Sequence, residues 1–159
     1  QTLTMKLPNT GEAVIIDLGE GNDIHPKNKY DVAARLVRWA LEKDYAMTKI
    51  KAQSPAFKGM AIAGKKATLT FDHSGGGLRT VDTREVKGFA ICGEDKKFVW
   101  AQAKIIGQDQ VEVWADGIEK PVAVRYAWAD NPVCNVLAKT GLPMTPFRTD
   151  DFKMLTKPQ

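Results

Sequence analysis

The side chains able to act as base, nucleophile or metal ligand are few: two histidines, His25 and His73, two serines, Ser54 and Ser74, and two cysteines, Cys92 and Cys134. His25 lies in GNDIHPKNKYDVAARLVRWAL, residues 21–41, in a short polar loop directly before a strongly periodic segment. An imidazole takes up and returns protons near neutral pH, so a histidine held in such a loop can act as a general base toward a hydroxyl. It then needs a nucleophile to serve and a group to orient its ring. Neither serine offers itself. Ser54 sits in QSPAF, where the following proline favours an extended link. Ser74, in DHSGGGL, follows an alternating segment and has the composition of a hairpin loop, without the strand-to-helix elbow that exposes a nucleophilic serine. His73 reads as a residue of the same loop.

The remaining candidates are weaker. Asp150 and Asp151 are neighbours, and adjacent side chains of an extended segment point to opposite faces, so they make a poor acid–base pair and are expected on a solvated surface. The glycine loops have neither GxxxxGK[ST] nor GxGxxG spacing, which gives nucleotide binding no support. Cys92 and Cys134 have no CxxC or zinc-ligand spacing and read as small buried hydrophobes, with a single disulfide left open. No metal or organic cofactor is called for. Trp100, Trp114 and Trp128 could stack on sugars, but a tryptophan in a small β-sandwich is first expected in the core.

Two textures must position these residues. In the first, Ala13, Val14, Ile15 and Ile16 form a continuous apolar run that suits a strand buried on both faces, as in the interior of a parallel sheet. A glycine-bearing loop and His25 follow. Asn28 with Asp31 then resembles an N-cap, and Val32, Leu36, Trp39 and Ala40 recur at helical spacing. Strand, loop and helix make half of a βαβ unit, and a doubly buried strand needs neighbours that residues 1–50 cannot supply. The expectation is a terminal β-α piece of a larger α/β domain whose earlier part is absent from this chain. Residues 51–159 differ. Ala67, Leu69 and Phe71 alternate with Thr68, Thr70 and Asp72, and similar runs recur between turn formers such as Gly75-Gly76-Gly77 and Asp116-Gly117. That pattern predicts an antiparallel β-sandwich, closed by an extended C-terminal strap over GLPMTPFRTDDF.

Charge and hydropathy exclude some functions. The net charge of +4, from 23 Lys and Arg against 19 Asp and Glu, is scattered without a basic stripe, so nucleic acid is not an expected partner. No apolar run approaches the roughly 20 residues of a membrane span.

Four ordered segments, LPNTGEAVIIDLGEGNDIHPKNKYDVAARLVRWAL, FAICGEDKKFVWAQAKI, PVAVRYAWADNP and GLPMTPFRTDDF, together resemble the C-terminal part of sialate O-acetylesterases, carbohydrate esterases of the SGNH (GDSL-like) hydrolase superfamily. The resemblance covers nearly the whole chain. It implies an SGNH-type three-layer α/β/α domain, ending within residues 1–50, followed by an accessory β-sandwich over 51–159. It also implies hydrolysis of acetyl esters on sugars. His25 matches the catalytic histidine of the superfamily's last block, while the nucleophilic serine and the oxyanion-hole donors belong upstream, on an N-terminal portion of the same enzyme that acts as this chain's partner. This chain alone is then expected to be inactive, and a periplasmic or extracellular location follows from the family's substrates. The superfamily pattern is Asp-x-x-His, yet Asn22 stands three residues before His25 and Asp23 two before. Either residue, or a backbone carbonyl, could orient His25; Asn22 is slightly favoured by position. The competing expectation is a noncatalytic carbohydrate-binding or structural β-sandwich in which His25 is incidental.

Overall fold

Alternation of apolar and polar side chains builds most of this molecule, a computed structural model that describes residues 2–153. Among the described residues, a short 3-10 turn, Thr2–Lys6, and one helix, α1 (Lys29–Lys43), precede ten strands. The first sheet has the order β1 (Ala56–Ala63), β2 (Lys66–Asp72), β7 (Gln110–Trp114), β6 (Gln102–Ile105), and the second β10 (Phe147–Arg148), β8 (Ala123–Tyr126), β4 (Phe89–Cys92), β5 (Val99–Trp100). A small third sheet pairs β3 (Leu78–Thr80) with β9 (Val136–Ala138). Every strand pairing is antiparallel. In β2 the side chains of Ala67, Leu69 and Phe71 are buried while those between them are not, as a period of two requires. They meet Val111 and Val113 of β7, Phe89 and Ile91 of β4, and Val124 and Tyr126 of β8 in one core. Phe147 joins it, stacked on Phe57 at 4.8 Å between ring centroids.

Two polar devices fix the loops around this core. Asn135, 4% exposed, donates to Asp82 Oδ1 and to the Glu85 carbonyl, each at 2.8 Å, and accepts from the Lys87 N–H at 2.8 Å, so one amide organises residues 82–87. The bond from Asn135 also holds the Asp82 carboxyl below its ordinary value. The second device is ionic. Arg125 on β8 donates twice to Asp150, at 2.8 Å to each carboxylate oxygen, and its guanidinium lies 3.9 Å from the centroid of Phe98.

Several expectations are corrected here. The fold is neither an α/β piece of a three-layer domain nor such a piece joined to a separate sandwich: it is mostly antiparallel sheet with one helix. Ala13 to Ile16 is not a strand. Its backbone turns, with the Leu18 N–H bonded to the Ile15 carbonyl, and the Val14 carbonyl accepts from a side chain, Arg35, instead of from a neighbouring strand. Only Val14 of that run is fully buried, although Ile16 packs against the core. Asp150 is not solvated; its side chain is 0% exposed, whereas Asp151 is exposed. Trp100 and Trp128 are exposed and Trp114 is half-buried, so none of the three fills the core. Cys92 and Cys134 are free thiols, each pushed up in pKa chiefly by burial. Among the described residues no helix is long and apolar enough to cross a membrane.

The Arg125–Asp150 pair gives a stability prediction. Its bond to Arg125 holds the Asp150 carboxyl below the usual carboxylate range. A depressed folded-state value means stability that is complete above the unfolded carboxylate's pKa and lost as pH falls through the lower, folded value. Asp150→Asn should cost about 2 kcal/mol at pH 7, less than the roughly 3–5 kcal/mol of a fully buried pair because Arg125 keeps some access to water. Thermal melts should also show a smaller loss of Tm between about pH 4 and pH 2 in the variant than in the wild type. Parallel Tm-versus-pH curves would contradict this role.

Candidate active site

The loop that carries His25 is placed by helix α1. Asn28 caps the helix, its side-chain oxygen accepting from the Asp31 N–H at 3.1 Å, which fixes where the loop must end. Two turns on, Arg35 points back: its Nη1 donates to the Val14 carbonyl and to Asp17 Oδ1, and its Nη2 to Asp17 Oδ2, all at 2.6 Å. A fork of this kind fixes direction as well as distance. Trp39 completes the attachment, its indole N–H donating to the Glu12 carbonyl at 2.9 Å; a Cβ on Gly11 would lie 2.6 Å from the Trp39 ring, so the backbone there lies directly against the indole. Arg38 ties the helix to the segment before β1 and to the turn after β9 through the carbonyls of Lys51 and Thr140.

Residues 15–24 and Pro26 on one side, and residues 127–132 with Pro146 on the other, line a cleft of about 1010 Å³. The walls meet where a Cβ on Gly21 would fall 2.5 Å from the Asn131 side-chain nitrogen, so the glycine lets the two loops touch. His25 falls in sequence between Ile24 and Pro26, which line the cleft, but does not line it itself, and its side chain is 86% exposed. Gly19 permits the loop's turn with a φ of +98°. The Asp23 N–H then bonds to the Glu20 carbonyl at 3.1 Å. Asp23 in turn accepts from the His25 backbone N–H at 2.9 Å, which sets its carboxylate 3.5 Å from His25 Nδ1. That separation is just beyond a direct hydrogen bond. A carboxylate at Nδ1 favours the tautomer with the proton there and leaves Nε2 as the acceptor.

The structure thus brings Asp23 to the His25 ring. Asn22 lies beside them and lines the cleft, with no hydrogen bond to the imidazole. Ser54 and His73 line a separate, smaller cavity of about 250 Å³ with Glu12, Trp39 and Gln53; Ser74 sits in the turn between β2 and β3. Neither serine lines the cleft beside His25. Among the described residues, no three His, Cys, Asp or Glu side chains converge as a metal site would require. Sequence reasoning weighed Trp128 as a sugar-stacking residue but expected it in the core, and it passed over Asp130 and Asn131. These residues lie over 100 positions from His25 in the chain, and no spacing rule joins them; the one signal was the exposed, turn-forming composition of ADNP after an alternating strand.

No family model matches the chain, and no curated protein matches it. Among solved structures it is similar to a carbohydrate acetylesterase from Xanthomonas citri, with 43% identity over 96% of this chain and a TM-score of 0.89. The chain spans about a third of that protein, 35% of its length.

The attachment of the loop can be measured directly. Arg35→Leu removes the fork to Asp17 and Val14, and amides over residues 14–25 should then exchange with deuterium at least about tenfold faster, while those of β2 and β7 keep their protection. Unchanged exchange in the loop would show that other contacts hold it.

Proposed function

We propose that this chain is part of a carbohydrate O-acetylesterase: it supplies the general base, His25, and both walls of a sugar cleft, while the remainder of the enzyme supplies the attacking serine and the oxyanion donors. The observation that carries the reading is the 43% identity, sustained over 96% of the chain, with a carbohydrate acetylesterase. The geometry is compatible with it. Asp23 lies on the Nδ1 side of an exposed imidazole, so Nε2 is left to receive a hydroxyl proton from another segment.

In this mechanism the serine Oγ attacks the acetyl carbonyl as Nε2 takes its proton, and Asp23 stabilises the imidazolium through Nδ1. The tetrahedral intermediate collapses, the sugar oxygen leaves with the proton from Nε2, and the acetyl group stays on serine. Water then attacks the acyl-enzyme, giving its proton to Nε2, and acetate departs as the serine recovers a proton from the same atom.

The distribution of apolar surface supports a covering partner. Among the described residues, half of the exposed large hydrophobic side chains, Leu3, Leu7, Ile24, Tyr30, Leu36, Val37, Tyr45 and Met47, fall within residues 1–50, and α1 has no fully buried residue. A helix of this kind ordinarily hides an apolar stripe. The remaining part of the enzyme is the occupant we assign to it.

The cleft also bears on substrate. Asp17, Glu20, Asp23 and Asp130 line it without a lysine or arginine, although Arg35 pairs with Asp17 from behind. A neutral O-acetylated sugar enters such a site without penalty, whereas an O-acetylated sialic acid brings a carboxylate into a field of like charge.

The test uses the chain assembled with the remainder of the enzyme, measuring acetate release from acetylated xylo-oligosaccharide and from O-acetylated sialic acid. His25→Ala should lower kcat by about three to five orders of magnitude, and His73→Ala should leave it within about twofold. Asp23→Ala should cost more than Asn22→Ala. Equal, small effects of His25→Ala and His73→Ala would favour a noncatalytic sugar-binding module, and a preference for the sialic acid would refute the charge argument.

A further inference from the structure

The side of the cleft formed by residues 127–132 contains a residue that the esterase mechanism does not use. Strand β8 ends at Tyr126, and the next residue, Ala127, is buried with φ of +49°, a left-handed conformation that side chains other than glycine seldom adopt. Strain of this sort persists where surrounding structure fixes it. Here the Ala127 N–H donates to the Gly88 carbonyl at 2.9 Å, and Tyr126 beside it is wholly buried, its hydroxyl accepting from the Val136 N–H at 3.1 Å. The turn delivers Trp128 to the surface, where it remains 42% exposed and lines the cleft.

The ring is backed as well as displayed. The Arg148 guanidinium lies over it, 5.6 Å from the centroid. Arg148 is itself held by the Phe152 carbonyl at 3.1 Å and stands 3.6 Å from Asp150, the carboxylate anchored by Arg125. An aromatic ring exposed in a cleft that Asp130 and Asn131 also line, with a guanidinium against it, combines a flat apolar surface with hydrogen-bonding groups in the same cleft. That is the chemistry of a pyranose ring, whose faces carry C–H groups and whose rim carries hydroxyls.

We propose that Trp128 is a sugar-stacking residue of the cleft, taking the face of a neutral pyranose while Asp130 and Asn131 meet its hydroxyls. The proposal rests on the reading of the cleft as a carbohydrate site, and it is tested first without ester chemistry. Isothermal titration of the full chain with xylohexaose, a neutral unacetylated oligomer, should give a measurable Kd. Trp128→Ala should weaken it at least about tenfold, a loss of about 1.4 kcal/mol, and Trp128→Tyr should restore most of the affinity. Trp100→Ala, at an exposed tryptophan outside the cleft, should leave Kd within about twofold. Absence of binding by the wild type, or an unchanged Kd in Trp128→Ala, overturns the proposal.

In the assembled enzyme, Trp128→Ala should raise KM for acetylated xylo-oligosaccharide about tenfold and leave hydrolysis of 4-nitrophenyl acetate, which has no sugar, within about twofold. Equal losses on both esters would assign Trp128 a structural role and overturn it. Sugar binding that depends on Trp128 without any acetate release would refute the esterase reading and retain the stacking site. Acetate release with an unchanged KM would do the reverse.

Discussion

The guanidinium of Arg35 is the constraint on which the candidate site depends. Residues 13–28 have no regular strand to hold them, so their backbone groups must find partners elsewhere or face water. Arg35 satisfies the Val14 carbonyl and both oxygens of Asp17 from a rigid helix, and it is 12% exposed itself. A lysine has the charge but not the planar fork, and could not meet three acceptors in fixed directions. The stretch downstream, from the turn at Gly19 to the contact of Asp23 with His25, runs between that clamp and the Asn28 cap, with Gly21 packed against Asn131 along the way.

The opposite wall is held in another way. Ala127 and Trp128 are continuous with β8, a strand paired on both sides and anchored by the core residues Val124 and Tyr126. One wall is therefore a side-chain-clamped loop and the other an extension of a sheet. Backbone ladders form a cooperative unit, whereas a loop held by a few side chains opens at lower free energy. His25 thus belongs to the loop of the more yielding wall, while Trp128 lies on the stiffer one, an arrangement that suits a base which must meet a nucleophile from another segment.

Local chemistry in the sequence was legible where a single segment determined the outcome. The Asn28–Asp31 cap and the helix that follows it could be read directly, because an N-cap satisfies its own helix. The alternation of Ala67, Leu69 and Phe71 likewise specified a one-sided strand. Ala13 to Ile16 misled because an apolar run reports burial and not hydrogen bonding. The partner that takes the Val14 carbonyl lies 21 residues away on the helix. Asp150 looked solvated for the same reason, its mate Arg125 being 25 residues distant on a neighbouring strand. The cleft was the least legible feature: its walls are over 100 residues apart in the chain and touch through a glycine and an amide, residue types with no periodic signature.

The Arg125–Asp150 pair has a consequence for the order in which the fold is completed. The hairpin of β1 and β2 joins neighbours in sequence, separated by a turn of two residues, and such local pairing carries little loop-closure entropy. The second sheet is different, since β8 lies between β4 and β10 and must gather segments from both sides of it along the chain. Arg148 and Asp150, which support Trp128 from behind, are the latest of these to be synthesised. On a ribosome the first sheet's hairpin can form while the backing of the tryptophan is still unmade, so the wall that displays Trp128 closes late in biogenesis, after the hairpin beside it has already formed.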